Sequence, residues 1–248
     1  MDETKKNDNK KKRIEMIDAL RGLAAILMVT HHLLYNLVYF FGAPVWLFTN
    51  PAFDVLHYIF AGLFIALSGV SSRFSRSNIK RGLIAIALAM GISAVTYYME
   101  MPIWFGVLHL LGFSMLFFGL SQKLWDLIPG KAAPVIYIAL LVVSAAATGQ
   151  VKPAVDGAVT RNIVSILGWP QPGFTSYDYF PILPWLFVFL LGTWAGQYIR
   201  EGKFPGWFYR MKPPVLPAVG RKALLIYILH QPVLYGVMMG IEYLISKI

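Results

Sequence analysis

The chain has 248 residues, 57% of them hydrophobic, and a formal net charge of +10. A mean hydropathy of +0.60 excludes a soluble domain of this length and makes the bilayer the solvent. With no cysteine, disulfides, thiolate nucleophiles and zinc–sulfur sites are excluded, and no metal is expected. Nor is a nucleic-acid partner, because in a membrane protein basic residues gather in particular loops.

In chain order, residues 1–13, MDETKKNDNKKKR, are polar throughout and read as a disordered basic cytoplasmic tail. Residues 14–248 read as one transmembrane domain. The tail and the apolar run after it resemble a signal peptide. The run is too long, however, and no small-x-small cleavage site ends it, so it reads as an uncleaved anchor. Windows of about 20 apolar residues mark membrane helices. Seven occur, at 22–41, 53–72, 81–98, 102–121, 132–148, 180–199 and 223–245. The fold class predicted is therefore all-α, a polytopic membrane bundle of about seven transmembrane helices with a cytoplasmic N-terminus. The orientation follows from charge: 19 of the 22 Lys and Arg then lie inside, leaving Lys152, Arg161 and Lys247 outside.

The segment 149–179 is the one long outer loop and carries Trp169, Pro170, Pro172, Tyr177, Asp178 and Tyr179, which suit a lid over an outward-facing site. The inner segment KFPGWFYRMKPPVLPAVGRK, rich in Pro and aromatics, is expected along the interface. Gly192 with Gly196, and Gly236 with Gly240, stand at the small-xxx-small spacing that lets helices approach closely.

The first span is chemically unusual. Asp18, Arg21, Ala25, Met28, His32, Tyr35 and Tyr39 are spaced alternately by three and four residues and share one helix face. At 1.5 Å per residue Arg21 and His32 lie roughly 16 Å apart, one at the rim and one near the membrane centre. His31 is turned about 100° from His32, toward a neighbouring helix. His57, His109 and His230 fall in or near other spans, so all five histidines of the chain lie in or near the membrane. One such imidazole ordinarily joins helices by a hydrogen bond, whereas five point to a shared polar cavity. Neutral imidazole is a competent general base or nucleophile near pH 7. Asp18, three residues before Arg21, reads as its ion-pair partner.

IDALRGLAAILMVTHH, WFGVLHLLGFS, YFPILPWLFVFLLGTWAG and GRKALLIYILHQPVL resemble blocks of a bacterial membrane family related to the catalytic domain of heparan-α-glucosaminide N-acetyltransferase. The spacing of Asp18, Arg21 and His32 also resembles the first helix of the membrane acyltransferase-3 group. The resemblance covers nearly all of the chain after residue 13 and makes residues 14–248 an acyltransferase-like domain. It implies transfer of acetyl from cytoplasmic acetyl-CoA, a cosubstrate, to an extracytoplasmic amino sugar or glycan hydroxyl. It also implies a multi-pass protein of the bacterial inner membrane, in contact with lipid, with a homodimer left open. The lysosomal relatives carry an extra luminal domain, more helices, and a proposed catalytic histidine in the luminal stretch after the first matching helix. Here that stretch, 42–52, has no histidine, and His32 is favoured by helix position alone.

On this reading His32, with His31 and His109, forms the catalytic set. Arg21, Arg73, Arg76 and Arg221 face the CoA phosphates, which arginine matches with paired donors. Trp169, Tyr177 and Asp178 meet the acceptor, with aromatic faces for a sugar ring. The alternative is a small-solute or proton-coupled transporter with intramembrane histidines, although no duplicated halves are found.

Overall fold

Within lipid, an apolar run can satisfy its backbone groups only along its own helix, and the architecture follows from that. The computed structural model describes residues 13–150, 153 and 155–247. Of the expected tail at 1–13, residues 1–12 lie outside them. The helices are α1 (Glu15–Tyr39), α2 (Trp46–Thr49), α3 (Pro51–Ser72), α4 (Asn78–Tyr98), α5 (Val107–Trp125), α6 (Ala133–Gln150), α7 (Ala158–Leu167), α8 (Ile182–Arg200), α9 (Gly206–Arg210), α10 (Leu216–Arg221) and α11 (Ala223–Ile245). Seven of them (α1, α3, α4, α5, α6, α8 and α11) are long and apolar enough to cross a membrane, and no strand forms among the described residues.

Close backbone approaches set the packing. A Cβ on Gly192 would strike the Ala66 carbonyl, one on Gly196 the Val70 carbonyl, and one on Gly69 the Phe189 carbonyl, so α3 and α8 touch along their backbones. The predicted small-residue pair in α8 has this role. Its counterpart does not: a Cβ on Gly236 or Gly240 of α11 would meet nothing. Gly82 and Gly112 join α4 to α5 in the same way, and Gly22 and Gly220 press α10 against the first turns of α1. The segment expected at the interface thus folds partly into the bundle. The main core, around Ile65, Leu110, Phe118, Phe189 and Leu190, sits between α3, α5 and α8.

One end of the bundle is basic. There Arg21 of α1 donates to the Ser71 hydroxyl of α3 at 2.6 Å, and Arg200 of α8 donates to the Arg73 carbonyl at 3.2 Å. The fourth span starts at Val107 rather than at 102. Residues 102–105 are instead spent pairing with the segment before α8, where Tyr177 N–H donates to the Pro102 carbonyl and Phe180 N–H to the Phe105 carbonyl. The predicted lid is not wholly irregular either, because α7 lies inside it.

Candidate active site

Consecutive residues on a helix diverge by about 100°, and the two imidazoles of α1 accordingly serve different neighbours. His31 turns to α3, its ring 4.2 Å from that of His57, centroid to centroid. His32 turns to α11, 4.7 Å from the ring of His230. A bond from Asn36 to Gln231, 2.9 Å long, holds α1 and α11 in register one turn away.

Backbone carbonyls select the tautomers. His32 Nδ1 lies 3.0 Å from the Met28 carbonyl and His230 Nδ1 lies 2.7 Å from the Tyr227 carbonyl. A carbonyl only accepts, so each Nδ1 carries the hydrogen and donates, and each Nε2 is left with its lone pair. His230 Nε2 and His31 Nδ1 are buried with no hydrogen-bond partner among the described residues. Buried polar atoms are rarely left so, which makes the cluster the candidate site.

His31, His32 and His57 meet at a cavity of about 50 Å³, whose walls also include Asp178 and Tyr227, while His230 stands behind His32. That is room for a few waters at roughly 10–15 Å³ each. Phe48 of α2 closes over His31, ring centroids 5.0 Å apart, and also packs on Tyr35 at 5.4 Å. Asp178 comes to the cavity from the segment before α8. It accepts from Val107 N–H at the start of α5 (3.1 Å) and from the Tyr227 hydroxyl (3.3 Å). Burial pushes its carboxyl above the usual carboxylate range, against the Val107 bond that pulls it down. Next to it, Tyr179 donates its hydroxyl to the Ser165 carbonyl at 2.5 Å. Burial holds that phenol up to about 12, so it stays a donor.

At the basic end Arg21 is held by Asp18, 2.9 Å away, and by Ser71. Arg81 approaches from α4, where its guanidinium reaches the Ser71 carbonyl at 3.5 Å. Two guanidiniums therefore converge on one serine. Arg76 and Arg221 are exposed, the latter at the end of α10, where Gly220 packs on α1 beside Asp18.

Three predicted site residues have other duties. Arg73 is buried, with its guanidinium on Asp126 at 2.6 Å, on the Thr193 carbonyl at 3.1 Å and over the Phe118 ring. These contacts tie α3 to α5 and α8 and leave the side chain buried. His109 spends both ring nitrogens: Nδ1 accepts from Gly106 N–H and Nε2 donates to Ser93, whose hydroxyl reaches the Ile103 carbonyl. It caps α5 and does not line the cavity. Trp169 donates its indole N–H to the Ala147 carbonyl at 3.1 Å and holds the segment after α7 to α6, away from the cavity. Tyr177 is exposed on the segment that brings Asp178 inward. Sequence reasoning passed over Tyr227, Ser71 and the pairing of Arg81 with Arg21. Tyr227 and His230 stand three apart in YILHQP, the one available signal for a shared face.

The family model described as heparan-alpha-glucosaminide N-acetyltransferase, catalytic, matches residues 13–232, a range that includes every wall of the histidine cavity. The chain belongs to this family. As a heparan-alpha-glucosaminide N-acetyltransferase family member with seven apolar spans, it is an integral membrane protein and, in general terms, a membrane acetyltransferase. No curated protein and no solved structure matches it. Among the described residues of this family member, no three of His, Cys, Asp and Glu are arranged to hold a metal ion.

Proposed function

We propose that the chain takes acetyl from acetyl-CoA at its basic end and passes it to an amino sugar or glycan hydroxyl arriving from the other end. The basic end then faces the cytoplasm of a bacterial inner membrane, a reading supported by the bias of Lys and Arg toward that side. One observation carries the proposal: the free Nε2 of His32 belongs to a ring on the cavity wall, roughly 16 Å along α1 from Arg21 at 1.5 Å per residue. A pantetheine arm laid along that face brings a thioester carbonyl to the imidazole while the CoA phosphates meet Arg21, Arg81, Arg76 and Arg221.

The acceptor loses a proton to His32 Nε2 as its nitrogen or oxygen bonds to the acetyl carbon. The resulting tetrahedral oxyanion collapses, the C–S bond breaks, and the imidazolium returns the proton to the CoA thiolate. His230, whose Nε2 also keeps its lone pair, accepts the second proton that an ammonium acceptor must shed. Asp178, an acceptor at the cavity wall, receives a polar hydrogen of the sugar, and Tyr177 lies on its approach.

The test adds labelled acetyl-CoA to purified chain, wild type and His32→Ala. Wild type binds the donor and hydrolyses or transfers the label, while the variant binds equally and does neither. Full turnover by the variant would move the base to His31. Absence of donor binding by both would remove the transferase reading and favour solute transport.

A further inference from the structure

Amphipathic helices ordinarily dock by their apolar side. α7 does so only in part: Ile166 packs against the main core, and a separate apolar stripe is left over. At 100° per residue, Val159, Ile163 and Leu167 form one stripe and Ser165 lies on the far side. Ser165 is fully buried, whereas Val159 and Ile163 are 73% and 53% exposed. The docked side carries polar bonds beside Ile166: Ser165 Oγ accepts from Gln171 N–H at 3.1 Å and the Ser165 carbonyl takes the Tyr179 hydroxyl. The apolar stripe is the side turned outward.

The helix is also at a defined depth. Gly168, just past its end, packs against Thr148 in the last turn of α6 and against Leu183 in the first turn of α8. It therefore lies level with the ends of two spans, at the end of the bundle away from Arg21. Ten residues reach about 15 Å, half the thickness of a bilayer core, so α7 does not cross it.

We propose that α7 is an in-plane lipid anchor, its outward stripe of Val159, Ile163 and Leu167 lying among the acyl chains of the leaflet at that end of the bundle. Left in water, this apolar surface would forgo the favourable transfer that acyl chains supply. Through Tyr179 the anchor steadies the segment that places Asp178 at the cavity, so lipid contact and the acceptor side of the site are mechanically joined. The inference is independent of which group is acetylated.

The chain contains no cysteine, so one introduced thiol labels one place. Ile163→Cys and Asn162→Cys, each carrying a bimane fluorophore, are placed in vesicles of phosphatidylcholine and phosphatidylglycerol. At Ile163 we expect strong quenching by lipids doxyl-labelled near the top of the acyl chain and several-fold protection from aqueous iodide. At Asn162, which is exposed and turned about 100° away, we expect the opposite order. Equal iodide quenching at both sites would overturn the proposal. So would an Ile163 label shielded from both quenchers, which would place a protein surface, such as a second copy of the chain, over the stripe.

Discussion

A pinned Nδ1 and an open Nε2 leave His32 a single reactive atom, and residue-scale predictions follow from which imidazole nitrogens are already engaged. His32→Ala should lower turnover by roughly 10²–10⁴-fold, the ordinary reach of a general base, with donor binding unchanged by titration calorimetry. His109→Ala should act differently. It strips a cap and strands Ser93, so thermal unfolding should show a loss of about 1–3 kcal/mol while the folded fraction keeps its turnover. Asp178→Asn keeps an oxygen for Val107 N–H but loses the charge; we expect a higher acceptor KM at nearly constant donor KM in two-substrate kinetics. Much at this scale was legible in the sequence: the three-and-four spacing put Asp18, Arg21 and His32 on one face, and the structure pairs Asp18 with Arg21. What spacing cannot reveal is whether a nitrogen is already bonded. His109 and His32 look alike as letters and differ only in their partners.

At the scale of elements, backbone contact separates two glycine pairs that the sequence presents as equivalent. Gly192→Val would drive its side chain into the Ala66 carbonyl and should cost at least about 1–3 kcal/mol, seen as lost yield and an earlier melting transition. Gly236→Val meets open space and should melt like wild type. Arg73→Leu leaves Asp126 without its cation; because that carboxylate is partly exposed, we expect a loss of about 3 kcal/mol, the lower end for a broken buried pair. All seven spans were legible, because hydropathy over about 20 residues is a strong signal. The start of the fourth was not. Its displacement to Val107 depends on Phe105 and Tyr179 pairing across distant stretches of chain, which no local window sees. α7 was hidden for a related reason, since averaging over a span-length window dilutes a ten-residue stripe.

For the whole molecule, the arrangement joins two chemistries through one bundle. Guanidiniums gather at the end where α3 finishes, and imidazoles gather beneath Phe48 and beside Asp178. This joining was legible only in part. α1 carries both stations and fixes their separation, but the partners contributed by α3, α4 and α11 depend on which helices become neighbours. The most direct test of the central claim places purified chain in sealed vesicles, with labelled acetyl-CoA outside only and glucosamine trapped inside. The account predicts labelled acetyl product in the lumen, made by chains whose basic end faces outward and abolished by His32→Ala. Product that forms only when glucosamine is added to the same side as acetyl-CoA would contradict it.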